Sequence, residues 1–88
     1  MIKKEIIVKN VVGIHSRPAT AFIQTAMKYN SAIWVDKGNR RVDAKSLLGV
    51  LSLDVNGNDN ITIGADGDDE NEALADLIEL VESGFERK

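Results

Sequence analysis

Three segments of the sequence are predicted as helices, and each carries apolar residues that must be buried against another layer. In residues 16–29 the spacing i, i+3, i+4, i+7, i+8 is typical of an amphipathic helix. Its apolar stripe consists of Ala19, Phe22, Ile23, Ala26 and Met27. Pro18 fits the first turn, where its missing N–H is not needed. We therefore expect this helix to begin near His15 or Ser16.

The other two predicted helices differ in length and in the residues that limit them. Residues 46–53 form a short run with more apolar side chains than one helical face can bury, and Gly49 weakens it by about 1 kcal/mol relative to Ala. Asp69 is predicted as the N-cap of the last helix, followed by an acidic first turn that suits the helix dipole. Gly84 is the predicted stop signal. The buried stripe of this helix is Ala73, Leu74, Leu77, Ile78 and Val81.

Four segments alternate apolar and polar residues with the period of a strand. They are residues 2–9, 32–36, 40–44 and 61–65, and a tight turn at 37–39 joins the middle pair into a hairpin. The resulting order is βαββαβα. It predicts an α+β open-faced sandwich, in which the helices cover one face of a mixed or antiparallel sheet.

Length, charge and cysteine content exclude several classes of function. The chain has 88 residues and a formal net charge of −3, so we expect one domain over residues 1–88 and no broad nucleic-acid surface. The absence of cysteine excludes disulfides, thiolate chemistry and a cysteine-based zinc site. No signal peptide or membrane-spanning run is readable, which predicts a cytoplasmic protein with no membrane association.

One segment partly matches a calcium-binding loop. Asp54, Asn56 and Asn58 match the first ligand positions of an EF-hand, but Asp59 stands where glycine is required and Ala65 where a bidentate glutamate belongs. We expect no metal and no cofactor.

The single histidine of the chain occupies the predicted start of the first helix. Unpaired backbone N–H groups and the helix dipole make such a position favourable for an anion. Arg17 lies two residues further on and can donate two hydrogen bonds to a phosphate, while neutral imidazole is a nucleophile. His15 is thus a candidate phosphoryl acceptor. The alternative is that it is merely a surface residue beside a helix cap.

Ser46 precedes the second helical segment and is first of all a predicted N-cap, worth about 1 kcal/mol. A phosphate on its hydroxyl would also be stabilised by the helix end, so cap and modification site are compatible.

Residues 13–19, Gly-Ile-His-Ser-Arg-Pro-Ala, resemble the active-centre motif of HPr, the histidine-containing phosphocarrier of the bacterial phosphoenolpyruvate–sugar phosphotransferase system. Residues 44–53, Ala-Lys-Ser-Leu-Leu-Gly-Val-Leu-Ser-Leu, resemble the second signature of that family. The resemblance extends over the whole chain and includes the spacing of the two motifs. It implies a four-stranded antiparallel sheet with three helices on one face.

The resemblance also implies a mechanism. Enzyme I, phosphorylated by phosphoenolpyruvate, would transfer a phosphoryl group to Nδ1 of His15, and the carrier would pass it to a sugar-specific enzyme IIA. Arg17 would assist, and Ser16 and Pro18 would form the helix start beside the phosphate. Such a protein is a carrier without independent enzymatic turnover.

In many HPr proteins the serine that matches Ser46 is phosphorylated by HPr kinase/phosphorylase, which slows transfer at the histidine and creates a docking form for a catabolite-control transcription regulator. The apolar excess in residues 46–53 predicts an exposed patch near His15. The resemblance supports docking by the following residues: Thr20, Leu47, Leu48, Leu51 and Ser52.

Some positions depart from the commonest pattern of the family, namely Ser16, Val12, Asp54, Gln24 and Met27. Two other functions stay open beside the carrier. A regulatory HPr relative would act through phospho-Ser46, although such relatives lack the active histidine. An unrelated α+β binding module would carry the motifs by coincidence. For the carrier we expect a monomer.

Overall fold

Seven elements follow one another in the computed structural model, which describes residues 1–10 and 13–85. They are β1 (Ile2–Ile7), α1 (Ser16–Ala26), β2 (Ala32–Lys37), β3 (Arg40–Asp43), α2 (Leu47–Ser52), β4 (Asn60–Asp66) and α3 (Glu70–Glu82). The order βαββαβα is the predicted one. Helix α1 ends three residues before the predicted residue 29. The reason is a tighter final turn, in which the N–H groups of Lys28 and Tyr29 bond to carbonyls three residues back.

The four strands form one sheet in the order β1-β4-β2-β3, and each neighbouring pair is antiparallel. Strand β4 lies between β1 and β2. The two strands that α1 connects, β1 and β2, are therefore not neighbours in the sheet, and the last strand pairs with both. The register pairs Ile6 with Ile61 and Val35 with Ile63, which brings inward-facing apolar residues side by side.

Helices α1 and α3 supply the second layer of the core. Phe22 and Leu77 are fully buried, as are the inward residues of the strands beneath them. Residues outside the regular elements are buried just as completely, including Ile14 and Val55. The sheet is thus covered on one face by three helices, as predicted. Within the described residues, no helix combines the length and apolar character needed to cross a membrane.

The start of α3 differs from the prediction in detail. Asp69 is the N-cap residue, but its side chain makes no capping hydrogen bond. Its carboxylate instead accepts hydrogen bonds from the N–H groups of Asn30 and Ser31 and from the Ser31 hydroxyl. These contacts lower the pKa of Asp69, with the Ser31 hydroxyl as the largest cause. The residue that was expected to cap a helix therefore ties that helix to the start of β2.

The other end of α3 follows the prediction. Gly84 has a φ of +69°, and the N–H of Phe85 bonds to the carbonyl of Leu80. This is the geometry of a Schellman motif, in which glycine readily takes the left-handed conformation.

The open face of the sheet carries a tryptophan, the single one in the chain. Trp34 lies opposite Gly64 on β4, and a Cβ added to Gly64 would lie 2.2 Å from the indole. The guanidinium of Arg41 stacks over the indole at 5.0 Å from the ring centroid, within cation–π range. The glycine makes room for the ring on this otherwise uncovered face.

Candidate functional site

His15 is the N-cap residue of α1 and has extended backbone dihedrals, with φ of −124° and ψ of 157°. Its carbonyl accepts from the N–H of Ala19, at 3.4 Å, and this bond closes the first turn of the helix. The imidazole makes no capping bond, and its side chain is 37% exposed. The ring therefore stands at the electropositive end of α1 with access to solvent.

The first turn of α1 is shaped for an anion beside this ring. Because the first helical bond is donated by Ala19, the N–H groups of Ser16 and Arg17 have no partner within the helix. Pro18 has no N–H and sits where none is needed. Ser16 has a φ of +43°, a left-handed conformation that costs a non-glycine residue roughly 1 kcal/mol.

The loop before β4 contacts the imidazole from the other side. Nε2 of His15 lies 3.1 Å from Oδ1 of Asn56 and 3.7 Å from a carboxylate oxygen of Asp54. The amide nitrogen of Asn56 donates to the backbone carbonyl of Asp54 at 2.9 Å. Asp54 has a φ of +50°, the left-handed conformation that glycine takes most easily. One ring nitrogen is thus occupied by this loop.

Charged groups hold the same loop in place. The carboxylate of Asp59 accepts from the N–H of Asn56 at 2.8 Å and pairs with Nζ of Lys37 at 3.0 Å. These two contacts, the backbone N–H first, lower the pKa of Asp59. Lys37 also donates to the carbonyl of Asp54, at 2.6 Å. Strand β2 therefore braces the loop that faces the histidine.

Six of the predicted site residues line one groove of about 1240 Å³ between α1, α2 and the end of α3. They are Ser16, Arg17, Pro18, Thr20, Leu47 and Leu51. The Thr20 hydroxyl donates to the carbonyl of Ser16 at 3.2 Å and so faces the start of its own helix. Among the described residues, the guanidinium of Arg17 has neither an ion pair nor a hydrogen bond, so its donors are free to bind a ligand.

Four predicted residues do not line that groove: His15 at the start of α1, and Ser46, Leu48 and Ser52 at the N-cap of α2 or within it. Ser46 is its N-cap, and its hydroxyl oxygen accepts from the N–H of Gly49 at 3.1 Å. The Ser52 hydroxyl donates to the carbonyl of Gly49 at 2.6 Å. The backbone carbonyl of Ser52 accepts from the guanidinium of Arg40, on β3, at 2.8 Å. Of the three leucines, Leu48 is 80% exposed, whereas Leu51 packs against the core.

The departures from the family pattern have different surroundings. Val12 lies outside the described residues. Gln24 lines the groove and Met27, at the far end of α1, is largely exposed. Asp54 is the departure that reaches the histidine.

No sequence pattern predicted Asn56, Lys37 or Asp59 as site residues. Asn56 matches only an incomplete calcium-binding pattern in the sequence. Within the described residues, no group of three or more acidic or histidine side chains could hold a metal ion. Asn56 is 41 positions from His15 along the chain. One feature of the sequence could have pointed to Asn56: the polar turn 56–60 directly precedes a strand. If that strand pairs antiparallel with β1, the turn lies near the end of β1, close to the segment that leads into His15.

Comparison with known proteins agrees with this architecture. The family model described as "PTS HPr component phosphorylation site" matches residues 2–83. The HPr-like protein Crh of Halalkalibacterium halodurans is 38% identical over 82 residues, 93% of this chain and 98% of that protein. Phosphocarrier protein HPr of Borreliella burgdorferi is 40% identical over 83 residues, 94% of this chain and 96% of that protein.

A solved structure is similar over the entire chain. HPr from Thermoanaerobacter tengcongensis superposes with a TM-score of 0.96 at 45% identity, covering 100% of this chain and 99% of that one. The four-stranded antiparallel sheet and its three helices therefore have a counterpart in a solved structure. The chain belongs to the HPr family of phosphocarrier proteins.

Proposed function

We propose that this chain accepts a phosphoryl group from phosphorylated enzyme I on His15 and transfers it to enzyme IIA domains during sugar uptake. The observation that carries the proposal is the position of His15. A solvent-accessible imidazole stands at the N-cap of α1, beside two N–H groups that have no helical partner. A nucleophile is thereby combined with a site that stabilises the anion it receives.

Arg17 and the helix end would hold the transferred phosphate. The dipole contributes roughly 0.3–1 kcal/mol at an exposed helix start. Arg17 lines the adjacent groove and can donate two parallel hydrogen bonds to phosphate oxygens. Binding of this modest strength suits a carrier, because the phosphoryl group has to leave again.

The groove and the exposed end of α2 would form the surface on which enzyme I and enzyme IIA dock. Leu47 and Leu48 are among the large apolar side chains that the fold leaves exposed. Thr20 and Leu51 line the groove, and Ser52 lies at the end of the same short helix. Apolar side chains beside a reactive group are typical of a transient protein interface.

Ser46 would be a regulatory phosphorylation site for an HPr kinase/phosphorylase. Its hydroxyl caps α2 through one backbone N–H, and a phosphate can keep that contact while adding charge beside Leu47 and Leu48. The added charge would weaken apolar docking by the partners of His15 and would create a site for a catabolite-control regulator.

The experiment is incubation with labelled phosphoenolpyruvate and purified enzyme I. We expect acid-labile label in the wild-type protein, none in His15→Ala and a normal amount in Ser46→Ala. An unlabelled wild-type protein, or label that survives in His15→Ala, contradicts the proposal. The same variants incubated with ATP and an HPr kinase test the second site, and equal labelling of Ser46→Ala and wild type contradicts it.

The second candidate is a regulatory role through phospho-Ser46 alone. It is favoured by the 38% identity to a protein named HPr-like protein Crh. The presence of His15 at the helix start favours the carrier instead. Labelling by the kinase without labelling by enzyme I would select the regulatory role. For the carrier we expect a monomer, which sedimentation can check.

A further inference from the structure

The Nε2 nitrogen of His15 faces an acceptor whose own orientation is determined by a second contact. Oδ1 of Asn56 lies 3.1 Å from Nε2. The amide nitrogen of Asn56 is committed to the backbone carbonyl of Asp54, at 2.9 Å. An amide held in this way presents its oxygen to the ring, and an oxygen can only accept. Nε2 is therefore the donor in this contact and carries a hydrogen.

The loop that carries Asn56 is held from several directions. The N–H of Asn56 donates to Asp59, whose carboxylate is paired with Lys37. Lys37 in turn donates to the same Asp54 carbonyl that receives the Asn56 amide. The carboxylate of Asp54, 3.7 Å from Nε2, also favours a hydrogen on that nitrogen. The acceptor is thus preorganised by contacts that do not involve the histidine.

We propose that Asn56 is a positioning residue, which holds the ring hydrogen of His15 on Nε2 and so presents the lone pair of Nδ1 at the start of α1. A neutral imidazole has one N–H, and the hydrogen bond made by one nitrogen decides which nitrogen is free to react. The inference rests on the proposed function and adds the residue that selects the reacting nitrogen.

Phosphoryl transfer to this ring forms one bond and breaks one. The lone pair of Nδ1 forms a bond to phosphorus, while the bond from phosphorus to the donor atom of enzyme I breaks and its electron pair leaves with enzyme I. The hydrogen on Nε2 stays in place, and the ring acquires positive charge. The oxygen of Asn56 and the carboxylate of Asp54 face that charge. In onward transfer a nucleophilic atom of enzyme IIA forms a bond to phosphorus while the Nδ1–phosphorus bond breaks. The electron pair of that bond returns to Nδ1, and the ring is neutral again.

The test compares variants at position 56 by the ring nitrogen chemical shifts of His15 in alkaline buffer. Asn56→Leu and Asn56→Ala cannot accept a hydrogen bond, and we expect their shifts to move towards those of a free histidine tautomer mixture. Asn56→Asp retains an acceptor oxygen and should keep the hydrogen on Nε2. Asn71→Leu, the same change at an exposed position of α3, should leave the wild-type shifts unchanged.

Asp54→Gly separates the two acceptors. Glycine suits the φ of +50° and retains the backbone carbonyl that orients Asn56, but removes the carboxylate. We expect the hydrogen to remain on Nε2 in this variant. A larger shift change in Asp54→Gly than in Asn56→Leu would assign the positioning to Asp54 and overturn the proposal.

Phosphoryl acceptance from enzyme I gives the second readout. We expect Asn56→Leu to react about five- to tenfold more slowly, the effect of losing one orienting hydrogen bond, and Asn56→Asp to recover most of the rate. Unchanged shifts and rates in Asn56→Leu, with normal labelling of the wild-type protein, overturn the positioning role alone. An unlabelled wild-type protein overturns the proposed function and the positioning role together.

Discussion

The Cα of Gly13 lies against the backbone carbonyl of Val55, so closely that a Cβ at position 13 would be 2.1 Å from that oxygen. The next N–H along the chain, that of Ile14, donates to the same carbonyl at 2.9 Å. Gly13 has a φ of +70°, which a side chain would also oppose. This backbone contact joins the segment that leads into His15 to the loop that carries Asn56.

Gly13→Ala is therefore expected to damage both the fold and the site. The clash and the left-handed backbone should lower the free energy of unfolding by about 2 kcal/mol or more, and displacement of His15 from Asn56 should slow phosphoryl acceptance. Gly38→Ala is the matched control, since Gly38 has a φ of +62° but nothing within 4 Å of an added Cβ. Urea unfolding should give the control a loss of only about 1 kcal/mol. Equal losses would show that the contact with Val55 is unimportant.

Leu48→Ala is expected to weaken docking and leave the fold intact. The side chain is 80% exposed, so the free energy of unfolding should change by less than about 0.5 kcal/mol. If Leu48 is a docking residue, the kcat/KM for transfer from enzyme I should fall about tenfold, mainly through KM.

Ile7→Ala is the control for Leu48, because Ile7 is 49% exposed on β1, away from the helices. Its kcat/KM should match that of the wild-type protein. A similar decrease in both variants would indicate a nonspecific effect of removing exposed apolar surface.

Gly64→Ala is expected to destabilise the sheet through Trp34. The added Cβ would overlap the indole, at a cost of about 1–3 kcal/mol. In a Trp34→Ala background the same substitution should cost at least about 1 kcal/mol less, since the ring it displaces is gone. Thermal unfolding followed by circular dichroism measures all four proteins. An additive double variant would contradict the contact.

Asp69→Asn is expected to remove part of the pH dependence of stability. The folded-state pKa of Asp69 is lowered, chiefly by the Ser31 hydroxyl, so the unfolded state binds more protons as the pH falls. The contribution is present above the ordinary carboxyl pKa of about 4 and is lost as the pH falls through the lower, folded value. Asp69→Asn should thus lower Tm at neutral pH, with a difference that shrinks in acid.

Asp68→Asn, at the exposed neighbouring position, is the control for this change of charge. Its Tm should follow that of the wild-type protein across the same pH range. A constant difference in Tm between Asp69→Asn and wild type would mean that ionisation of Asp69 does not contribute.

Several parts of the fold could be predicted because they depend on residues only a few positions apart. The start of α1 beside Pro18, the glycine turn between β2 and β3, the Ser46 cap and the end of α3 at Gly84 are all of this kind. Helical periodicity and capping are interactions within one turn of a helix, so the local sequence contains the information that they need.

Asp69 is the N-cap residue of α3, as predicted, but the local sequence does not show which donors its carboxylate binds. Aspartate before a helix is usually a cap, but the tertiary fold brings Asn30 and Ser31 close enough to take both oxygens. Three donors from the segment before β2 bind the Asp69 carboxylate in place of a backbone N–H of α3. The choice depends on a contact 38 residues distant in sequence, which no local pattern records.

What the sequence alone determined is the series of elements and the placing of one histidine at a helix start, because those features arise from neighbouring residues. Only the tertiary structure decided that β4 enters between β1 and β2 and brings Asn56 to the ring of His15. Strand order follows from which packing buries the apolar faces of all layers at once, a property of the whole chain. The contact between Nε2 of His15 and Asn56 therefore depends on the sheet, because the two residues are 41 positions apart in sequence.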